Sequence, residues 1–268
     1  MLQISCNTDQ QANVGNGEKM NYSEIDFSDI EQKYTSLEKY IEQMAAGNVR
    51  SLIVNGPPGV GKTYSASAYI KKYSKQKHKS VTGHMSMLTL YGDLYRLKNN
   101  GEILILDDVD SVMNNIQGLN ILKAAMDTRK QREISWESTS ALLEKMNLPN
   151  SFKFNGAVIL ITNTGFGNGG KKNIEHLNAL KDRSFCLNLG DKDKETVFKY
   201  ICFVTTKKDL LKDYGFNEFQ KKSILEFIEE HMHVMHHLSL RSLVKCADLM
   251  SIDSDNWKNM AFDGLVKV

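Results

Sequence analysis

The octapeptide Gly56-Pro57-Pro58-Gly59-Val60-Gly61-Lys62-Thr63 constrains this chain more than any other stretch. It follows the apolar run Ser51-Leu52-Ile53-Val54 and leads into residues that suit a helix. A short buried strand, a glycine loop, and Lys-Thr opening a helix make up the phosphate-binding pattern G-x-x-x-x-G-K-[ST]. Its glycines let backbone N–H groups point into a concave nest around the β-phosphate. The start of the helix, near Tyr64, adds the positive end of its dipole. Lys62 is expected to reach the β- and γ-phosphates of ATP, and the Thr63 hydroxyl to ligate Mg²⁺.

A second anchor is Glu102-Ile103-Leu104-Ile105-Leu106-Asp107-Asp108-Val109-Asp110. Four consecutive apolar residues read as a strand buried on both faces, as in a parallel sheet. The strand ends in carboxylates, where ligands sit in open α/β sheets. This is the Walker B pattern: Asp107 is expected to hold Mg²⁺, directly or through water, and Asp108 to polarise the attacking water.

The 268 residues suffice for one large domain or two modest ones, and 41% hydrophobic content supports real cores. A net charge of +2 argues against wholesale nucleic-acid binding, so any such surface must be local. Cys6, Cys186, Cys202 and Cys246 are dispersed, with no C-x-x-C spacing, which fits reduced cytosolic thiols packed as small hydrophobes. No apolar run approaches the ~18 residues of a membrane span, and the N-terminus lacks a signal-peptide pattern. The expectation is a soluble, cytoplasmic protein without a membrane partner.

Residues 1–27 read as a flexible polar tail, and residues 1–49 are locally acidic. From Ser28, the spacing of Ile30, Tyr34, Leu37, Ile41 and Met44 predicts a helix with one apolar face. Strands are expected at 51–55 and 80–85, and helices over about 62–74 and 88–99. Lys71, Lys72, Lys75, Lys77 and Lys79 read either as a solvated helix end or as a contact to a phosphate backbone. After Asp110 a helix is expected through about Arg129. Residues 131–156 read as an inserted hairpin pinned by Trp136 and Phe154, with a short helical segment between its strands. Ala157-Val158-Ile159-Leu160-Ile161-Thr162-Asn163 is another buried strand with a polar end, followed by a glycine-rich loop and a short helix ending near Arg183. A fifth strand spans 185–189. From Asp191 the pattern turns wholly helical, so a small helical lid is placed over 191–268, after an ATPase core over 28–190. His231, His233, His236 and His237 read as part of an interhelical turn rather than a metal site.

Taken in order, these motifs resemble an AAA+ ATPase over about residues 28–250, and the series is also similar to uncharacterised AAA+ ATPases encoded by bacteriophages. The resemblance implies an α/β core with a five-stranded parallel sheet of order 5-1-4-3-2 and a small C-terminal helical lid. It makes Asn163 the sensor 1 residue that orients the attacking water. It likens Arg183 to the arginine finger that a neighbouring subunit supplies, and Arg241 to the sensor 2 arginine of the lid. Read locally, Arg183 is an ordinary helix C-terminal cation and Arg241 a partner for a lid carboxylate. Met85 and Met87 precede the helix that follows strand two, where ring ATPases line a pore, though buried packing suits them better. The common Walker B ends in Asp-Glu, and Asp108 here is one methylene shorter, which bears on turnover more than on ATP binding.

The expected activity is Mg²⁺-dependent ATP hydrolysis at the interfaces of a ring-like homo-oligomer, a hexamer being one ring that the resemblance allows. The expected output is a step of DNA metabolism on single- or double-stranded DNA, with Arg132, Lys145 and Lys153 of the hairpin as tracking residues and the lysine cluster near Lys75 as a further candidate. Remodelling of a protein partner, or a slow nucleotide-switched scaffold, stands as the alternative.

Overall fold

The computed structural model describes residues 21–136, 141–163, 171–191 and 193–266. Seven strands occur among them: β1 (Ser51–Asn55), β2 (His78–Thr82), β3 (Ile103–Asp107), β4 (Glu133–Ser135), β5 (Ser151–Lys153), β6 (Ala157–Thr162) and β7 (Phe185–Asn188). Five of them form a parallel sheet in the order β2-β3-β6-β1-β7. Counting only that sheet's strands along the chain, this is the expected order 5-1-4-3-2. Adjacent strands on the chain are separated by crossovers, so parallel pairing needs the intervening helices.

The helices are α1 (Ser28–Ala45), α2 (Lys62–Tyr73), α3 (Met87–Arg96), α4 (Asp110–Met113), α5 (Ile116–Ala125), α6 (Ala141–Lys145), α7 (Lys171–Asp182), α8 (Lys194–Thr206), α9 (Glu218–His231), α10 (Leu240–Ile252) and α11 (Trp257–Leu265). They cover both faces of the sheet. Leu52, Val54, Ile103, Ile105, Ile159 and Ile161 enter one core with α1, α2 and the C-terminal helices. Ile53, Leu104, Leu106, Val158 and Leu160 enter the other, with α3, α5, α7 and the hairpin. This alternation is why the middles of β1, β3 and β6 are apolar at successive positions: each side chain there has a core to enter, contributing about 1.5–3 kcal/mol when fully buried. All five residues of the predicted α1 stripe are buried.

Several boundaries differ from the sequence expectation. Strand β2 lies at His78–Thr82, earlier than 80–85, because its backbone pairs with β3 from His78↔Ile103 to Thr82↔Asp107 although its side chains are mostly exposed. The helix expected from Asp110 to Arg129 is broken at Asn114-Asn115. The Asn115 carboxamide accepts from the backbone N–H groups of Gln117 and Gly118, so it starts a new helix where the old one ends. Residues 1–20 of the expected tail, and the glycine-rich loop over 165–170, lie outside the described residues. Residues 21–27, assigned to that tail, are anchored at two points: buried Tyr22 meets Phe198 edge-on and buried Phe27 meets Phe203, which fixes this segment on α8.

Strands β4 and β5 pair antiparallel, Glu133↔Lys153 through Ser135↔Ser151, as a hairpin beside the sheet. Phe154 is wholly buried and Trp136 lies against Tyr91, so both aromatics fasten it. Arg132 is a correction: it does not present a charge to a DNA strand. It is buried, donates from Nη1 to the Ala125 carbonyl at 2.5 Å and from Nη2 to the Gly156 carbonyl at 2.9 Å, and lies over the Phe154 ring. Burial, then the nearby Arg50, pulls its pKa down to about 10. Lys145 and Lys153 are exposed, Met85 is buried and Met87 half-buried. At the end of α9, His231 shares a hydrogen bond with the Phe227 carbonyl and packs on its ring.

Candidate functional site

Three strand ends build the site. Parallel register puts Asn55 beside Thr162 and Asp107 beside Ile161, so the residues that follow β1, β3 and β6 emerge together at the carboxyl edge of the sheet. After β1, Gly59 and Gly61 adopt φ of +77° and +81°, a left-handed backbone that other residues adopt at a cost. These two turns curl the loop back so that α2 starts at Lys62. Lys62 is 5% exposed, and its Nζ donates to the Gly56 carbonyl at 2.9 Å, the Pro57 carbonyl at 2.9 Å and Asn163 Oδ1 at 2.7 Å. The neighbouring Thr63 hydroxyl donates to Asp107 Oδ2 at 2.8 Å. Tyr64 turns its ring outward, 71% exposed, so only its backbone belongs to the loop.

Asp108 is held differently from Asp107. Its φ is +51°, strained for a residue with a Cβ, and its N–H donates to the Ile161 carbonyl at 3.0 Å. That bond ties the turn after β3 to β6 and directs the carboxylate to Asn163. Asp108 accepts from the Asn163 N–H at 3.2 Å and from Asn163 Nδ2. Burial, and then the adjacent Asp107 carboxylate, pushes the Asp108 carboxyl above the usual carboxylate range. Asn163 therefore bridges Lys62 and Asp108 with its two amide atoms. One connected set links the glycine loop, β3 and β6.

The donors suit a nucleoside triphosphate and Mg²⁺. The loop turns at positive φ and the lysine is buried beside it, which matches a polyphosphate chain. The Thr63 hydroxyl and Asp107 carboxylate in direct contact are hard oxygen ligands of the kind Mg²⁺ takes.

The two arginines lie apart from this set. Arg241 stands in the first turn of α10, exposed, beside a cleft of about 580 Å³ that also includes Pro58 of the glycine loop. The Leu240 N–H donates to the Gly59 carbonyl at 3.0 Å, so α10 begins directly against the loop. Arg183 sits at the opposite end of the sheet. Its carbonyl accepts from the Ser51 hydroxyl at 2.8 Å, at the first residue of β1, whereas the loop follows the last. Its Nη1 donates to the Ala179 carbonyl, and it borders a cleft with Arg50 and Asp127. The fold does not bring Arg183 to its own chain's Lys62.

Two supporting residues escaped the sequence reading. The Tyr34 hydroxyl donates to the Val60 carbonyl, and its ring stacks on Phe203 and meets Tyr200, so α1 and α8 clamp the loop. Periodicity marks Tyr34 only as core. Ser239 caps α10 and lies so near Gly59 that a Cβ there would come within 2.5 Å of its own. The Ser239-x-x-Ser242 spacing hints at the cap but not at the contact.

Residues 52–168 match the sequence profile of the ATPase family associated with various cellular activities (AAA). The chain is 31% identical over 221 residues to an uncharacterised 36.7 kDa protein of the nrdC-mobD intergenic region of Enterobacteria phage T4, covering 80% of this chain and 68% of that one. Among solved structures, it resembles the RuvB Holliday junction branch migration motor of Thermotoga maritima, with a TM-score of 0.51 and 13% identity over 89% of this chain and 69% of that one. It also resembles domain III of the replication initiation protein DnaA from the same organism, with a TM-score of 0.51 and 12% identity over 89% and 92% of the two chains. At such identities these two likenesses concern the fold alone. Among the described residues, no helix is long and apolar enough to cross a membrane.

Proposed function

Since the chain belongs to the AAA family of ATPases, we propose that it hydrolyses ATP at a site completed by a second copy, and that the resulting motion acts on DNA. The observation that carries the reading is the hydrogen-bonded set Lys62–Asn163–Asp108, with Thr63–Asp107 beside it. The loop amides and Lys62 hold the triphosphate. Thr63 and Asp107 hold Mg²⁺, which, when bound, supplies positive charge against the charge that develops on the phosphate oxygens. The Asp108 carboxylate accepts hydrogen bonds from Asn163, and between them they orient a water for attack and take its proton.

Arg183 acts on the neighbouring copy's site, a role supported by its place at the far end of the sheet from its own glycine loop. A guanidinium is always charged and forks onto phosphate oxygens, and in related chemistry such a group contributes roughly 10³–10⁵ in rate. Arg241 reports the nucleotide to the helical lid over 191–268, supported by the Leu240–Gly59 contact. Lid and core over 28–190 then move against each other as ATP turns over. The DNA role rests on the fold shared with a branch migration motor and a replication initiation protein.

The test is ATP turnover with and without single-stranded and duplex DNA, beside Lys62→Ala as the blank. Turnover above the blank that rises with DNA supports the reading. Turnover indifferent to DNA and raised by a protein partner transfers the site to protein remodelling, and none above the blank removes the motor.

A further inference from the structure

The basic residues after α2 do not simply solvate a helix end. Lys77, Lys79, Arg96 and Lys98 converge on one cleft of about 780 Å³ at the outer edge of the sheet, with Asp93 and Tyr95 in its wall. Asp93, with 2% of its side chain exposed, binds Lys79 at 2.6 Å and Arg96 at 3.3 Å. It is the one carboxylate lining the cleft among the described residues, so four cations leave a surplus of three positive charges. Lys98 is held with its ammonium 3.9 Å from the centre of the Tyr95 ring. Lys75 is exposed just upstream.

Three of the cations are thus fixed by partners, although the Lys79 and Arg96 side chains stay about half exposed. Fixing them in advance lowers the entropy lost on binding an anion. Triphosphate at the glycine loop does not use them. Strand β2 is separated from β1 by β3 and β6, and the cleft lies at the His78 end of β2 while the Walker residues lie at the Thr82 end. The cations also continue beyond the cleft. The Asn155 N–H donates to the Lys98 carbonyl at 2.7 Å, which seats the root of the hairpin and its exposed Lys153 alongside. Lysines do protect an edge strand from pairing with another chain. That role does not call for Arg96 and Lys98, which come from α3 and the residues after it.

We propose that this cleft at the β2 edge binds the phosphodiester backbone of a nucleic acid, without reading its sequence. A ladder of cations on a rigid edge meets a ladder of phosphates, and a guanidinium fork fits phosphate oxygens. The proposal rests on the DNA-directed reading above and gives it a contact surface, one that the buried Arg132 does not provide.

The experiment measures binding of labelled single-stranded and duplex DNA to the full chain from about 50 to about 200 mM salt. It compares the wild-type chain with Lys75→Gln/Lys77→Gln/Lys98→Gln, which leaves the Asp93 pairs intact. Each lost phosphate contact flattens the slope of log K against log salt by about 0.9 for duplex and about 0.7 for single strands, so a loss of about two to three in slope is expected. Affinity at low salt falls by tenfold or more, about 1.4 kcal/mol or above, while turnover without DNA is unchanged. The arm with the larger change in slope, corrected for those coefficients, identifies the strand form bound. Wild-type binding with the same slope in the variant overturns the cleft and leaves the DNA-directed reading standing. No wild-type binding to either form overturns that reading itself. Equal loss of binding to polyglutamate overturns the assignment to nucleic acid and points to an acidic protein.

Discussion

Replacing Arg132 with methionine should destabilise the fold and leave DNA binding alone, the opposite of what its place in a basic-looking hairpin suggests. Its guanidinium joins the end of α5, through the Ala125 carbonyl, to the entry of β6, through the Gly156 carbonyl. Hydrogen bonds from a charged donor contribute about 1.5–3 kcal/mol each, and a buried acceptor left bare costs about 1–3 kcal/mol. Removing the buried charge returns part of this, since burial already holds the pKa of Arg132 below the usual arginine value. Methionine also keeps most of the packing on Phe154. The net loss is about 2–4 kcal/mol, a fall in Tm of roughly 5–12 °C for a chain of this size. Arg132→Lys should fall between, because one ammonium reaches the two carbonyls less well than a fork. The assay is a thermal melt beside a DNA titration at fixed salt. A variant that melts with the wild type yet loses DNA affinity would refute the reasoning and return Arg132 to the surface.

Other substitutions separate binding from chemistry. Asp108→Asn should retain ATP binding, measured with a fluorescent analogue, and lose roughly 10²–10⁴ in single-turnover rate, the worth of a positioned base. Weakened binding in step with the rate would place Asp108 among the nucleotide ligands instead. Gly59→Ala adds a Cβ within 2.5 Å of Ser239 at a φ of +77°. One such strained contact costs about 1–3 kcal/mol, and the free loop relieves it by moving off α10, so ATP affinity should fall roughly 5- to 150-fold. Gly215→Ala, at φ +68° with nothing near its Cβ, should lower stability slightly and leave ATP affinity untouched. Equal effects from both glycines would show that the contact between loop and α10 is immaterial.

Local rules carried much of the site. The glycine loop, Walker B and the strand ending at Asn163 are contiguous in sequence, and each has a pattern fixed by one element: a nest, a strand buried on both faces, a polar strand end. The sheet followed from those strands and the family resemblance. Contacts between distant elements were not legible. Nothing near Tyr34 shows that its hydroxyl meets Val60, because the helical stripe records burial and not the polar tip. Arg132 looked exposed beside Lys130 and Arg129, and only the convergence of α5 and β6 turns it inward. At β2, backbone pairing with β3 set the strand ends, which side-chain polarity obscured. The split between α4 and α5 was readable in principle, since Asn114-Asn115 is a capping signal.

The claim that matters most is that one copy's Arg183 completes another copy's site. Mixing Arg183→Ala with Lys62→Ala tests it, with each variant inactive alone and ATP turnover followed across mixing ratios. Random pairing around a head-to-tail interface restores about one quarter of the wild-type turnover at equal amounts, since an intact loop then meets an intact arginine in about one interface of four. Recovery near that level, with its maximum at equal amounts, is the expected result. Two inactive variants that stay inactive at every ratio would contradict the shared site.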